Sequence, residues 1–167
     1  MEMEVKIISI NNNIDEININ NKKKKRKVTI NERWKELHDS QYHYHYIDDK
    51  DTILPLIKNQ IQQKINGYKG QDGKKNIYCA EKFIDYAFVI KLLQKSLLKC
   101  FYCYNNMMIV YDYVREPKQW TIERIDNSMG HNKDNVEVAC LNCNLRRRTM
   151  YFERYLITKQ LKINKLL

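Results

Sequence analysis

Isoleucines fall at every fourth position from Ile53 through Ile57 and Ile61 to Ile65, a spacing that lays one apolar stripe along a helix. Thr52 can cap the start, and Pro55 is tolerated in a first turn whose amides lack partners anyway. Gly67 supplies a stop, so the pattern predicts a helix over 52–66. A turn-rich stretch, Lys69-Gly70-Gln71-Asp72-Gly73, follows it. Phe83, Ala87, Ile90, Leu93 and Leu97 share a second helical face, which predicts a helix from about Ala80 to Leu98. Two such amphipathic helices need each other, or the C-terminal part, to bury their stripes; their expected role is scaffold.

The pattern then shortens. Met107–Tyr111 and Trp120–Ile125 are apolar, β-prone runs, Val136–Val138 is a third, and Asp126-Asn127-Ser128-Met129-Gly130 is a turn signal. From Cys140 the chain reads helical, with Leu145, Phe152 and Leu156 facing inward. Upstream, Tyr42-His43-Tyr44-His45-Tyr46 alternates like a strand, with both histidines on one face. Such a pair is compatible with metal, but a half-exposed strand is the commoner meaning, and no metal is assigned there. The first 27 residues are rich in Asn and end in six consecutive cations, Lys22 to Lys27, which predicts a disordered basic arm. The expected architecture is α+β in three parts: the arm (1–27), a mostly helical region (28–99) and a small zinc-held domain (100–160).

Charge narrows the partner. The 167 residues carry 30 Lys and Arg against 20 Asp and Glu, a net charge of +10. That balance favours an anionic partner, nucleic acid before others. No run of about 18 apolar residues offers a membrane span. The start, MEMEVKIISINNN, lacks the basic-then-apolar order of a secretory signal. An intracellular location is therefore expected, and the Lys22–Lys27 run is compatible with the nucleus or a viral replication compartment. Five cysteines in an intracellular chain point to metal or free thiol rather than to disulfides.

Four of those cysteines form two C-x-x-C pairs, Cys100/Cys103 and Cys140/Cys143. A two-residue spacer lets both sulfurs of a pair reach one ion, and four thiolates make a closed structural Zn²⁺ site. The first pair precedes the β-runs and the second opens the last helix, so a knuckle, a hairpin and a helix would surround one zinc in a treble-clef layout. Cys79 is left over as a buried thiol.

Charge is also unevenly placed. Residues 100–139 hold four Lys and Arg against six Asp and Glu, whereas 140–167 hold seven against one. An acidic pocket beside a basic helix suits an enzyme of phosphate esters. Carboxylate and carbonyl oxygens hold a hard divalent cation, while Arg146, Arg147, Arg148, Arg154 and Lys159 would meet backbone phosphates. A solvated helix beside a turn-rich loop would show the same composition.

The ordered set C-x-x-C, T-I-E-R-I-D-N-S-x-G-H-x-x-D-N-V and A-C-x-x-C-N over residues 100–155 resembles the HNH endonucleases of the zinc-containing treble-clef type. Similar segments occur in phages and large DNA viruses, and the Holliday-junction resolvases of the endonuclease VII type are mechanistic relatives. The resemblance implies that Cys100, Cys103, Cys140 and Cys143 ligate structural zinc. It implies that Glu123 and Asn144 ligate a catalytic Mg²⁺ or Mn²⁺, and that Asn135 braces the intervening loop. DNA, branched or junction DNA included, is the implied partner; a homodimer stays open.

Glu123 stands where the family usually has an Asp ligand, offering the same oxygens on a longer arm, and the next position departs more seriously. Arg124 stands where the general-base histidine is usual, and a guanidinium stays protonated and accepts no proton from water. Asp126 or His131 are the alternatives, His131 having a suitable intrinsic pKa. Asp126 in a regular strand would face away from Glu123 and needs a bulge to help. Arg124 would then neutralise charge on the pentavalent phosphate. The leading expectation is a metal-dependent DNA endonuclease. A nuclease-dead zinc module that binds DNA or RNA is the alternative, and a zinc-held protein-interaction domain is a third.

Overall fold

The structure, a computed structural model, describes residues 54–161 together with Lys24. The rest of the basic arm, the Tyr42–Tyr46 alternation and Thr52 and Ile53 lie outside the described residues. Lys24 is exposed, and its carbonyl accepts a hydrogen bond from the Val114 amide at 3.0 Å.

Helix α1 spans Leu54–Lys74, well past the expected stop at Gly67. The buried stripe explains the extension. Ile57, Ile61 and Ile65 continue in register into Tyr68 and Asp72, all five buried. Gly67, Gly70 and Gly73 lie on the exposed side of this helix. Three interior glycines weaken a helix without breaking it when packing holds the opposite face. The stop is Asn76, which takes the left-handed conformation (φ 56°). Its amide donates to Gly73 O, and the Ile77 amide donates to Asp72 O, the paired bonds of a Schellman motif.

Helix α2 spans Tyr86–Lys95, shorter at both ends than the apolar spacing suggested. Asp85 caps it, its carboxylate accepting from the Phe88 amide at 2.8 Å. The preceding residues are held by the distant loop instead: Ile84 N–H donates to His131 O, Lys133 N–H to Lys82 O, and Phe83 bridges Asn132. The buried face is Val89, Leu92 and Leu93; Ala87 and Leu97, expected inside, are exposed.

The two-stranded antiparallel sheet joins β1 (Trp120–Arg124) to β2 (Val136–Cys140), with Trp120 opposite Cys140 and Glu123 opposite Glu137. The expected Met107–Tyr111 strand does not form a ladder. Met107, Ile109, Val110 and Tyr111 are buried, and the run makes only an isolated bridge, Met108 to Gln119. Its apolar character reflects burial on all sides, which a non-strand segment satisfies by side-chain bonds such as Gln60 Nε2 to Ile109 O at 2.8 Å.

The expected single C-terminal helix is two. Helix α3 (Leu141–Arg147) stops at Arg148, whose φ is 53°, and α4 (Phe152–Gln160) follows. The break corrects the inward face: Leu145 is 47% exposed, and Tyr155 with the half-buried Phe152 and Leu156 does the packing. Ile61, Leu93, Trp120, Val138, Cys143 and Tyr155 belong to one contiguous core, so the described helical region and the zinc-type region share a single interior. No helix among the described residues is long and apolar enough to cross a membrane.

Candidate functional site

The knuckle is closed by its own backbone. Tyr104 N–H donates to Cys100 O, Cys100 N–H donates to Asn105 O, and Tyr104 takes a left-handed φ of 56°. Across from it, Cys140 ends β2 and caps α3, its Sγ accepting from the Cys143 amide at 3.4 Å. The Cys140 amide donates to Cys100 Sγ at 3.3 Å. The sulfurs of Cys100, Cys103, Cys140 and Cys143 all lie within 4.8 Å of one another, with Cys103 and Cys140 at 4.0 Å. Tetrahedral zinc with bonds of about 2.3 Å sets its sulfurs about 3.8 Å apart. Four thiols this close cannot all ionise without a cation. Cys140 and Cys143 donating to it draw the Cys100 thiol down, while the same interaction pushes Cys140 up. The cluster could hold a metal ion, and its all-sulfur chemistry is that of structural zinc. Cys79 stands outside it.

A cleft of about 490 Å³ opens beside this centre. Glu123, Arg124 and Thr121 reach it from β1, Asn144 and Arg148 from the α3 end, His131 from the loop, and Lys64 and Tyr68 from α1. Glu123 is buried, and its Oε1 accepts from Arg147 Nε at 2.8 Å. Burial pushes this carboxyl up to about 7 against the pull of the Arg147 and Arg124 charges. Asn144 Nδ2 donates to Thr121 Oγ1 at 3.2 Å and to Ile122 O at 3.5 Å, so its NH₂ end is used and Oδ1 is the end left for a ligand.

The loop from Ile125 to Asn135 is tied at both ends. Asn135 accepts from the Asp126 amide through Oδ1 at 2.8 Å and donates through Nδ2 to Asp126 O and Gly130 O. Arg124 Nη1 donates to Asn127 O and Met129 O. Asp126 lies just past β1 and is exposed, with Oδ1 accepting from the Ser128 amide and hydroxyl; it does not line the cleft.

His131 is different. It is buried, stacks on Tyr68 with ring centroids 4.5 Å apart, and its Nδ1 lies 2.8 Å from Asp72 Oδ1. The second Asp72 oxygen accepts from the His131 backbone amide at 2.6 Å. Burial lowers the imidazole pKa, outweighing the hydrogen bond and charge of Asp72. Gly130 permits the approach: a Cβ there would sit 2.5 Å from Ile77 O and 2.9 Å from Asp72 Oδ2.

The basic residues divide. Arg146, Arg148 and Arg154 are exposed, and Lys159 is half-buried with Nζ 5.5 Å from the Tyr155 ring. Arg147, expected to meet phosphates, is instead 1% exposed. Besides Glu123 it donates to Met150 O, Arg124 O and Ile125 O, and all of its charge is spent inside.

Asp72, Tyr68 and Lys64 were not expected at the site. Asp72 falls in the Lys69–Gly73 stretch that the sequence predicts as turn, between Gly70 and Gly73. The available signal was its place on the stripe: an acid in helical register with Ile57, Ile61, Ile65 and Tyr68 must be buried, and a buried acid needs a partner. Compared with known proteins, the chain matches no family model, no curated protein and no solved structure.

Proposed function

We propose that this cleft hydrolyses DNA phosphodiester bonds, as HNH-type endonucleases do, with one Mg²⁺ or Mn²⁺ held by Glu123 and Asn144. The observation that supports it is convergence. An acid from β1, an amide from the helix that follows β2 and a histidine from the loop between the strands line one cleft near a four-cysteine centre. Glu123 Oε2 and Asn144 Oδ1 are hard oxygen donors, and two protein oxygens suit an ion that keeps most of its waters. When bound, that ion supplies charge for the scissile phosphate and the departing oxygen.

The chain's own residues do the rest. Arg148 and Lys64 line the cleft and favour an anion, while Arg146 and Arg154 at the surface extend the basic track. Lys64 is held by Gln119 Oε1 at 3.1 Å and Trp120 O at 2.7 Å. Arg124 fixes the loop that carries His131. Asp126 is engaged by Ser128 and away from the cleft, which favours His131 over it as the base. The four-cysteine centre locks β2, α3 and the knuckle together and stays out of the chemistry.

Incubation of supercoiled plasmid and of four-way junction DNA with the zinc-loaded protein and Mg²⁺ or Mn²⁺ tests this reading. Cleavage that requires the metal and is lost in Glu123→Ala and Asn144→Ala is the expected result; absence of cleavage from the folded wild type rejects it. A second reading, a module that binds DNA or RNA without cutting, draws on Arg124 and Glu123 being engaged with loop carbonyls and Arg147. It predicts salt-sensitive binding with no metal-dependent product.

A further inference from the structure

We propose that Asp72, on helix α1, is a positioning residue that holds His131 as the Nδ1–H tautomer and so presents a bare Nε2 to the cleft as general base. The proposal rests on the endonuclease reading and supplies the base that Arg124 cannot be. It stands on geometry. The carboxylate grips His131 twice, at the ring nitrogen and at the backbone amide, so ring and main chain are fixed by one group. Tyr68 stacks on one ring face, and its own hydroxyl accepts from the Ile122 amide at 2.9 Å, anchoring the stack to β1. Gly130 leaves room for no side chain between Asp72 and the loop. Nδ1 faces a carboxylate, an acceptor only, and must therefore carry the proton. Among the described residues nothing hydrogen-bonds Nε2, while His131 is among the residues lining the cleft that Glu123 and Asn144 share.

The step balances with water alone. The water oxygen forms a bond to phosphorus and its proton passes to Nε2. The bond from phosphorus to the bridging oxygen breaks, and the departing oxygen takes a proton from a second water. His131 then returns its proton to solvent. Asp72 stabilises the transient imidazolium without receiving the proton, as a second carboxylate partner does in hydrolases with a Ser-His-Asp triad.

Asp72→Asn separates the tautomer from the fold. Its amide oxygen still accepts from the His131 backbone, which turns the NH₂ toward Nδ1, makes Nδ1 the acceptor and moves the ring proton to Nε2. Long-range ¹H–¹⁵N spectra of the imidazole read this directly, and the wild-type spectrum requires no variant to fold. The expected result is a protonated Nδ1 in the wild type and a protonated Nε2 in Asp72→Asn. The cleavage kcat should fall by about 100-fold with KM within about twofold. A wild-type ring protonated at Nε2, or an Asp72→Asn variant that reverses the tautomer yet cleaves at the wild-type rate, overturns the proposal alone. A wild type with the expected tautomer that cleaves neither plasmid nor junction DNA overturns the endonuclease reading and the base role with it.

Discussion

Arg147 and Glu123 form an ion pair in which both side chains are almost wholly excluded from water. Removing one partner leaves the other charge buried, which costs about 3–5 kcal/mol. Arg147→Ala should therefore lower the urea unfolding free energy by about that amount, whereas Arg146→Ala, on the exposed face of the same helix, should leave it within about 0.5 kcal/mol. The order reverses for nucleic-acid binding. Arg146→Ala and Arg148→Ala should each weaken DNA binding and flatten its salt dependence by about one phosphate contact. A run of three arginines gives no sign of which is inward. What decides it is that position 147 faces β1, where a buried carboxylate waits, and that Arg148 then breaks the helix with a positive φ.

At the scale of elements, helix α1 shows how packing overrides local preference. Its glycines on the exposed side have nothing within 4 Å of an added Cβ. Gly67→Ala and Gly70→Ala should each raise stability by about 0.5–1 kcal/mol, measured as a shift in the urea midpoint at constant slope. At the start of α2, the Lys133 ammonium and then the Phe88 amide hold the Asp85 carboxyl below the usual carboxylate range. Asp85→Ala should cost about 1 kcal/mol at neutral pH. Because the folded-state pKa is depressed, that difference is complete above the ordinary value of 3.8 and shrinks as pH falls below it; unfolding curves from pH 7 to pH 2.5 would show this.

Much of this organisation was legible in the residues. The isoleucine stripe, the two C-x-x-C pairs and the strands at Trp120 and Val136 were visible because periodicity and spacing are local properties. The helix end at Asn76, the break at Arg148 and the Asp72–His131 pair were not. Each depends on a partner distant in sequence: Asp72 and His131 are 59 residues apart. Apolar runs misled where burial, rather than a ladder, explained them, as at Met107–Tyr111.

For the whole molecule, helix α1 lines the cleft and shares one core with the four-cysteine centre. Loss of a metal held by the four cysteines should therefore reach far beyond the knuckle. A chelator, or Cys143→Ser, should lower the melting temperature cooperatively and disturb the His131 imidazole signals along with the β1–β2 resonances; a local loss confined to the two C-x-x-C segments would contradict the single core. In the proposed function, Glu123, Asn144 and His131 serve one divalent ion and one phosphate. Titration of the zinc-loaded protein with Mn²⁺ while recording NMR line widths tests it most directly. The side-chain signals of Asn144 and His131 should broaden first, well before those of Ile157 on α4, and Glu123→Ala should abolish the effect. Broadening that spares both residues, or that persists undiminished in Glu123→Ala, would place the ion elsewhere and rule out a shared site.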